Sequence, residues 1–383
     1  MDDPVFAPMA GGNERRPFFS VNTQIQLCLR RRTIYICQID MNRRDMLKGA
    51  AALPLMAQTL LGKSSVRPKL IKPKRLSPGD AVGIIAPASG VAPETWERAV
   101  KNIESLGFRP VVGKHARGRL SFLSATDKER LDDLHWAFGD PLIKAVWCVR
   151  GGGGAPRLLP DIDYALIKKN PKIFIGFSDI TALHLAILQN CGLVTFHGPV
   201  ASSEYSEYTK THAMNVLTQP TSPYKITLSE YNIAKESPFF RSETIKTGKC
   251  RGHLIGGNLS LLAAVAGTRF ALGDVKGKIL FIEEVNEPPY RVDRMLTQLR
   301  QSVDLRSVAG IALGVFDDTS VSAGKSLQPV MDVLRDRLGD LGVPVVYGLS
   351  FGHIRDNLTL PYGIEAELDA DNAVLTYLEA AVT

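Results

Sequence analysis

Short apolar runs alternate with stretches of helical periodicity over residues 76–200, and no other feature of the chain restricts its fold as strongly. The runs VGII, IKAVWCV and KIFIGF are almost continuously apolar, as in strands buried on both faces of a sheet. Residues 93–106 and 126–140 between them place apolar side chains on one face of a helix. Because strands and helices in alternation form a mainly parallel sheet covered by helices, we predict an α/β domain over residues 76–200.

A second pattern follows a polar stretch. Residues 201–245 are polar and show no regular periodicity, which is typical of a connector. Residues 246–383 contain the apolar runs ILFI, GIALGVF and PVVYGL, with helical segments between them and an alternating run at the end. We predict a mixed α+β domain there. The predicted fold class is therefore α/β, with a mainly parallel N-terminal domain and a mixed C-terminal domain.

The positive charge of the chain is confined to its N-terminal segment. The whole chain has a net charge of +7, whereas residues 1–75 carry 14 Lys and Arg side chains against five acidic ones, a net charge of +9. The remainder carries −2, which removes the main argument for a nucleic-acid partner. Residues 1–40 show no periodicity and are interpreted as an extension upstream of a start at Met41. We exclude residues 1–75 from the predicted fold.

The basic segment contains an export-signal pattern. The stretch MNRRDMLKGAAALPLMAQTLLG, residues 41–62, begins with the pair Arg43 and Arg44 and continues into an Ala- and Leu-rich run. The run contains Pro54 and is shorter than the roughly 20 residues that span a bilayer. It resembles a twin-arginine signal, which predicts a periplasmic protein without stable membrane insertion after signal removal. The alternatives are an uncleaved membrane anchor and, without export, a cytoplasmic location.

Cysteine and histidine spacing does not indicate a metal site. The three cysteines beyond the N-terminal segment have neither CxxC nor zinc-ribbon spacing, so we expect no disulfide framework. No HExxH motif occurs, and the seven histidines are scattered along the chain. We therefore expect no metal and no organic cofactor.

Side chains of three types that catalyse acyl transfer follow predicted strands. Ser178 comes after KIFIGF, Glu283 and Glu284 come after ILFI, and His353 comes after VPVVYGLSFG. Ligand sites of open α/β sheets lie beyond the carboxyl ends of the strands. A serine to attack, a histidine to take its proton and a carboxylate to orient the imidazole form the usual set for acyl transfer.

Each of these residues also has a purely structural interpretation. Local sequence alone favours Ser178 as the N-cap of a helix that starts at Asp179. A carboxylate at a strand end is commonly solvated or ion-paired at the surface, and His353 can be an ordinary loop residue. The usual hydrolase motif GxSxG is absent, because Ile180 stands where the second glycine should be.

The sequence RGGGGAPR follows IKAVWCV as a glycine-rich loop. No GK[ST] follows it and neither Gly151 nor Gly152 begins a GxGxxG, which excludes the two common nucleotide-binding motifs. Its backbone N–H groups could bind an anion, with Arg150 and Arg157 beside them. A structural turn is the alternative.

Several segments in their order resemble one enzyme family. GDAVGIIAPAS, VRGGGGAPRLLPDID, IGFSDITALH, FHGP, GGNLSLL, ILFIEEVNEPPYRVDRML and GLSFGH look like the serine LD-carboxypeptidases, which include muramoyl-tetrapeptide carboxypeptidases and microcin C self-immunity peptidases. The resemblance extends from Leu76 to the C-terminus. It implies an N-terminal α/β domain, a C-terminal domain with a β-barrel-like sheet, and a homodimer.

The resemblance also implies the roles of individual residues. The serine of GFSD, Ser178, corresponds to the nucleophile, and the first glutamate of IEEVNE, Glu283, and the histidine of SFGH, His353, correspond to the other triad members. Because Ser178 stands at a helix start, the N–H of Asp179 can help to bind the oxyanion, and we favour Gly152 for the second donor. Arg150 is a candidate for the free carboxylate of a substrate.

The implied reaction is release of the terminal D-alanine from a murein tetrapeptide, by cleavage between the L-centre of the third residue and D-Ala. Three alternatives stay open: hydrolysis of a peptidyl-nucleotide antibiotic of the microcin C type, a periplasmic binding module without turnover, and a different peptidase on the same scaffold. The chain departs from the family at Gly153, where relatives usually carry an aromatic residue (RGGYG). Four successive glycines predict a freer loop that is costlier to order, and hence weaker or broader substrate binding.

Overall fold

The computed structural model describes residues 25–30, 33–38, 69–317 and 328–383 of a chain that divides into two compact units, Met1–Val66 and Arg67–Thr383. Strands β1 (Ile25–Arg30) and β2 (Thr33–Gln38) of the first unit form an antiparallel pair. The prediction of no periodicity over residues 1–40 is therefore wrong, since every second residue of IQLCLR is Ile or Leu. The predicted signal, with Arg43 and Arg44, lies outside the described residues.

The N-terminal part of the second unit is built on a six-stranded sheet. Its strands are β3 (Ala81–Ile85), β4 (Arg109–Val112), β5 (Ile143–Cys148), β6 (Ile173–Gly176), β7 (Phe196–His197) and β14 (Leu360–Pro361). The strand order is β14-β7-β6-β5-β3-β4, and only β14 runs antiparallel to its neighbour. Every residue of β3 and β6 is buried, as the continuous apolar runs predict.

Helices alternate with these strands. They are α1 (Pro93–Ser105), α2 (Asp127–Gly139), α3 (Tyr164–Lys169) and α4 (Thr181–Cys191). Thr126 caps α2 through a capping box, in which its hydroxyl accepts the N–H of Glu129 while the Glu129 carboxylate accepts the N–H of Thr126. Gly192 ends α4 in a left-handed conformation.

An eight-stranded mixed sheet forms the second layer of structure. Its strands are β8 (Tyr224–Ile226), β9 (Glu243–Lys246), β10 (Lys249–Asn258), β11 (Ile279–Val285), β12 (Gly310–Asp317), β13 (Val345–Tyr347), β15 (Glu365–Asp369) and β16 (Val374–Tyr377). The order is β8-β16-β15-β10-β11-β12-β13-β9. Strand β10 joins the antiparallel and parallel halves, because its first residues pair with β15 and its last residues with β11. The predicted fold class is confirmed.

The stretch predicted as an irregular connector contains regular elements. Helices α5 (Glu207–Thr218) and α6 (Glu230–Ala234) lie within residues 201–245, as does β8. The other helices are α7 (Leu259–Ala264), α8 (Pro289–Ser302) and α9 (Gln328–Leu338). Among the helices within the described ranges, none combines the length and apolar character that a membrane span needs.

Residues 69–75, which the sequence analysis excluded from the fold, are attached to it. The N–H of Ile71 donates to Gly192 O at 2.7 Å, and its carbonyl accepts the N–H of Val194 at 2.9 Å. Lys72 Nζ forms an ion pair with Glu379 Oε2 at 2.6 Å. The folded unit therefore begins before Leu76, and its first residues are held by contacts that are remote in sequence.

Candidate active site

Ser178 lies in a tight turn directly after β6. Its φ of +65° is in the left-handed region, and a short 3-10 helix, Ser178–Ile180, leads into α4. Phe177 and Ile180, rather than Ser178, occupy the N-cap positions of this 3-10 helix and of α4. The helix-cap interpretation and the predicted helix start at Asp179 are therefore wrong. A non-glycine residue in this conformation costs about 1–3 kcal/mol, and such strain is concentrated at functional sites.

Gly151 makes this turn possible by leaving space beside it. A Cβ at Gly151 would lie 2.8 Å from Ser178 Cβ and 3.1 Å from the backbone nitrogen of Asp179. Any other residue would displace either the glycine loop or the serine turn. Sequence reasoning favoured Gly152 and missed Gly151, although its position next to the strand end was the available signal.

Glu283 and His353 form a hydrogen-bonded pair. His353 Nδ1 and Glu283 Oε2 are 2.7 Å apart, and the Glu283 side chain has no exposed surface. In the ladder between β11 and β12, Ile282 pairs with Leu313 and Glu284 with Phe316, so β12 contains one extra residue opposite Glu283. Gly352 has a φ of +126°, and a Cβ there would lie 3.3 Å from Glu283 Cβ. A glycine therefore lets the loop that carries His353 approach the carboxylate.

The pair is electrostatically coupled. Burial alone would lower the pKa of His353, but the charge and hydrogen bond of Glu283, with smaller contributions from Glu284 and Asp317, raise it above its ordinary value of 6.5. Burial alone would raise the pKa of Glu283, but His353 lowers it below its ordinary value. Glu283 therefore stays charged and favours the protonated form of its partner.

Glu284 has a different environment. Its Oε1 accepts the side-chain amide of Asn258 at 3.1 Å and the N–H of Val285 at 2.8 Å. Its Oε2 accepts both the N–H and the hydroxyl of Ser260 at 2.7 Å. With both oxygens occupied, Glu284 ties the start of α7 to β11 and is not available to orient a histidine.

The glycine loop is held by its neighbours. Gly153 N–H donates to Ser89 Oγ at 3.0 Å, and Arg130 Nη1 donates to Gly154 O at 3.0 Å. The carboxylate of Asp179 accepts the N–H of Ala155 at 2.7 Å, which links the loop to the serine turn. These bonds fix three positions of the loop, and the expectation that it is freer than the loop of relatives with an aromatic residue at position 153 stays a prediction. Sequence reasoning missed Ser89 as an anchor, because its contact depends on tertiary structure.

The two backbone donors predicted for the oxyanion are the N–H of Asp179, which follows Ser178, and that of Gly152, which follows Gly151. Within the described part of the chain, neither the N–H of Asp179 nor that of Gly152 has an acceptor. Arg150 is exposed and makes no ion pair with a described residue. Arg157 forms an ion pair with Asp127 at 2.9 Å, and the role of Arg150 in binding a substrate carboxylate stays a prediction. No cluster of metal ligands occurs in the described ranges.

The two halves of the second unit match two domains of known enzymes. The LD-carboxypeptidase N-terminal domain matches residues 82–198, and the LD-carboxypeptidase C-terminal domain matches residues 251–368. The chain belongs to the LD-carboxypeptidase family. It is accordingly a serine peptidase of the carboxypeptidase type, and the resemblance noted in the sequence is confirmed.

Individual relatives align with this chain over nearly their whole lengths. A probable murein peptide carboxypeptidase of Bacillus subtilis is 41% identical over 300 residues, 78% of this chain and 91% of the relative. The murein tetrapeptide carboxypeptidase of Pseudomonas aeruginosa is 35% identical over 299 residues, 76% and 93% of the two chains. The structure of MccF in complex with glutamyl sulfamoyl guanosine matches with a TM-score of 0.74 at 28% identity, covering 82% of this chain and 99% of that one.

Proposed function

We propose that this LD-carboxypeptidase family member releases the terminal D-alanine from murein tetrapeptides by cleaving an L,D-peptide bond. The observation that carries the proposal is the buried Glu283–His353 pair, at 2.7 Å, together with the strained serine at the end of β6. The names of the relatives from Bacillus subtilis and Pseudomonas aeruginosa support a murein peptide as the substrate.

The proposed mechanism assigns one task to each group. With His353 Nδ1 bound to Glu283, Nε2 is the nitrogen that takes the proton of Ser178 as the hydroxyl attacks the scissile carbonyl. The N–H groups of Asp179 and Gly152 bind the oxyanion. His353 then donates the proton to the departing amino group of D-alanine, and water hydrolyses the acyl-enzyme with His353 as base.

A second candidate is hydrolysis of a peptidyl nucleotide. The MccF complex with glutamyl sulfamoyl guanosine favours this class of ligand, since its protein matches 82% of the present chain. Both substrates present an acidic or carboxylate group and a peptide-like acyl centre to one nucleophile. The two substrates differ in the leaving group and in the protein surface that contacts this group.

Mass spectrometry of the products separates these possibilities. Purified protein is incubated with a muramoyl tetrapeptide, with its all-L analogue, and with a peptidyl sulfamoyl nucleotide. Release of D-Ala from the first substrate alone supports the proposal. Cleavage of the nucleotide alone supports the second candidate, and stoichiometric binding without product indicates a binding module.

Replacing Gly153 by Tyr is expected to lower KM by about three- to tenfold and to change kcat less, because an added aromatic contact is worth about 0.5–1.5 kcal/mol. A Cβ at Gly153 would lie 3.8 Å from Cε2 of Phe122, an ordinary contact, so a side chain fits there. Steady-state kinetics with the tetrapeptide measures both constants, and Gly153→Ala is the control without a ring. A folded but inactive Gly153→Tyr variant would show that the loop serves a different ligand and would remove the substrate assignment.

We also propose export to the periplasm by the twin-arginine route. Replacement of Arg43 and Arg44 by Lys is expected to retain the protein in the cytoplasm, because that route reads the arginine pair. Fractionation followed by immunodetection measures the distribution, and Arg15→Lys/Arg16→Lys is the control with the same charge and an unrelated pair. An unchanged distribution would remove the signal interpretation and make cytoplasmic residence the default.

The homodimer implied by the family resemblance is likewise a proposal for this chain. Light scattering after size-exclusion chromatography measures the mass in solution. A value of about twice the chain mass of 41.8 kDa supports the dimer, and the monomer mass contradicts it.

A further inference from the structure

His197, the histidine of FHGP, lies between the strand ends that carry the candidate triad. It pairs with Gly176 in the β6–β7 ladder, two residues before Ser178. Its ring packs edge-on against Phe281 at a centroid distance of 5.4 Å, and Phe281 precedes Glu283 by two residues on β11. The ring therefore lies on the face of β11 that leads to Glu283, since alternate residues of a strand share a face.

Phe177 connects the same imidazole to the catalytic histidine. Its ring contacts His197 at a centroid distance of 5.9 Å and His353 at 4.8 Å, both edge-on. His197 has no exposed surface. It is thus enclosed by the residue before the nucleophile and by the strand of the acid, without itself facing the substrate.

Unpartnered polar atoms belong to two residues of this region, His197 and Glu283, which interact electrostatically. Both ring nitrogens of His197 and Oε1 of Glu283 are buried and have no hydrogen-bond partner among the described residues. The amide of Asn258, which lies opposite Glu283 in the β10–β11 ladder, donates to Glu284 Oε1 at 3.1 Å; it also helps to lower the pKa of Glu283, after His353 and His197, without a hydrogen bond to Glu283 Oε1. A buried imidazole that lacks an acceptor and a buried carboxylate oxygen that lacks a donor are each costly, and they are complementary to each other.

We propose that His197 is a positioning residue for the triad, whose ring N–H donates through one bound water to the oxygen of Glu283 that His353 does not use. This inference rests on the proposed function for its catalytic consequence. With both oxygens held, the carboxylate has one orientation, and His353 Nε2 is directed at Ser178. His197 touches no reacting atom.

The charge state of His197 suits this task. Burial lowers the pKa of His197 to about 4; Glu283 acts to raise this pKa and His353 to lower it further. The ring is therefore neutral at pH 7 and has one donor nitrogen. The other ionisable groups that interact with His197, Glu283 or His353 include His184, Glu284, Asp317 and Tyr362. A neutral donor stabilises the carboxylate without adding a positive charge that would oppose protonation of His353.

Replacing His197 by Phe tests the proposal, because the ring volume is kept and the donor is lost. We expect kcat for D-Ala release to fall about 10- to 100-fold with little change in KM, the effect of removing one hydrogen bond to a buried charge. We expect the pKa of His353 to rise by about half a unit or more, since the less stabilised carboxylate holds the imidazolium more strongly. His197→Gln, which retains an N–H donor, should recover most of both properties.

His184→Phe is the matched control. His184 is also fully buried, with a pKa lowered to about 3 mainly by burial, and its Nε2 contacts Gly176 O at 2.8 Å. The His184→Phe substitution should lower the thermal unfolding temperature without changing the pKa of His353. The pKa is measured by NMR titration of the His353 ring without substrate. The pKa of His353 therefore tests the role of His197 separately from the proposed function. The proposed function would fail if the wild-type protein released no D-Ala, and the NMR titration would still be informative in that case.

The wild-type protein supplies an independent test if His197→Phe does not fold. A ring N–H of His197 that is protected from solvent exchange should shift in the NMR spectrum on Glu283→Gln. An unchanged or lowered pKa of His353 in folded His197→Phe, an equal shift in His184→Phe, or a His197 resonance insensitive to Glu283→Gln would each overturn the proposal.

Discussion

Ser178→Ala is expected to reduce D-Ala release by about 10⁴- to 10⁶-fold while the protein remains folded. The variant removes the atom that forms the acyl-enzyme, and loss of a serine nucleophile has an effect of this size in other serine peptidases. Alanine and serine both carry a Cβ, so the cost of the left-handed conformation at φ +65° is similar for the two. Single-turnover kinetics with the muramoyl tetrapeptide measures the loss.

Ser202→Ala is a control for hydroxyl removal near the same sheet edge. Ser202 Oγ donates to Val149 O at 2.7 Å, beyond the end of β5, and its loss should change turnover little. A fluorophosphonate, which phosphonylates activated serines, should label the wild-type protein and Ser202→Ala but not Ser178→Ala. Wild-type-like turnover by Ser178→Ala would end the serine mechanism for this residue.

Glu283→Gln is expected to lower kcat by about 10³- to 10⁴-fold, because an amide can neither fix the required tautomer of His353 nor stabilise its protonated form. The pH profile should change as well. In the wild-type protein the base must be neutral, so kcat/KM should fall as pH drops through the raised pKa of His353, above 6.5. Without the carboxylate charge, burial dominates and the acid limb should move to lower pH.

Glu284→Gln provides the contrast at the neighbouring position. Glu284 accepts four hydrogen bonds, including those of Asn258, Val285 and Ser260, and an amide in its place puts a donor against other donors. We expect a loss of about 1–3 kcal/mol in the free energy of unfolding and nearly normal turnover by the folded fraction. Equal losses of turnover in the two variants would show that the orienting acid has been assigned without grounds.

The placement of the candidate triad residues at or near strand ends could be predicted from sequence alone. The apolar runs before Ser178 and Glu283 are long enough to identify buried strands. Their strands belong to different sheets, however, β6 to the six-stranded sheet and β11 to the eight-stranded sheet, so a shared sheet edge does not explain the arrangement. The capping box at Thr126 was also predictable, because its partners are three residues apart. In both cases the information is local, and the periodicity of one segment is sufficient.

Features that depend on two remote segments were not predictable in this way. The choice between Glu283 and Glu284 depends on a bulge of β12 opposite Glu283 and on where Ser260 and His353 come to lie. Local propensity favoured a helix cap at Ser178, whereas the packing of Gly151 against the turn imposes a left-handed conformation that no single-segment rule predicts.

The sequence by itself determined the strand and helix pattern, the confinement of positive charge to the first 75 residues, and the family to which the chain belongs. Tertiary structure alone decided that the glycine loop is anchored by Ser89 and Asp179, that residues 69–75 join the fold, and that His197 packs against Phe281 of β11. The physical reason is the range of the interactions. Periodicity and turn chemistry act over a few residues, whereas burial, hydrogen-bond partners and the pKa of a histidine are set by atoms that only folding brings together.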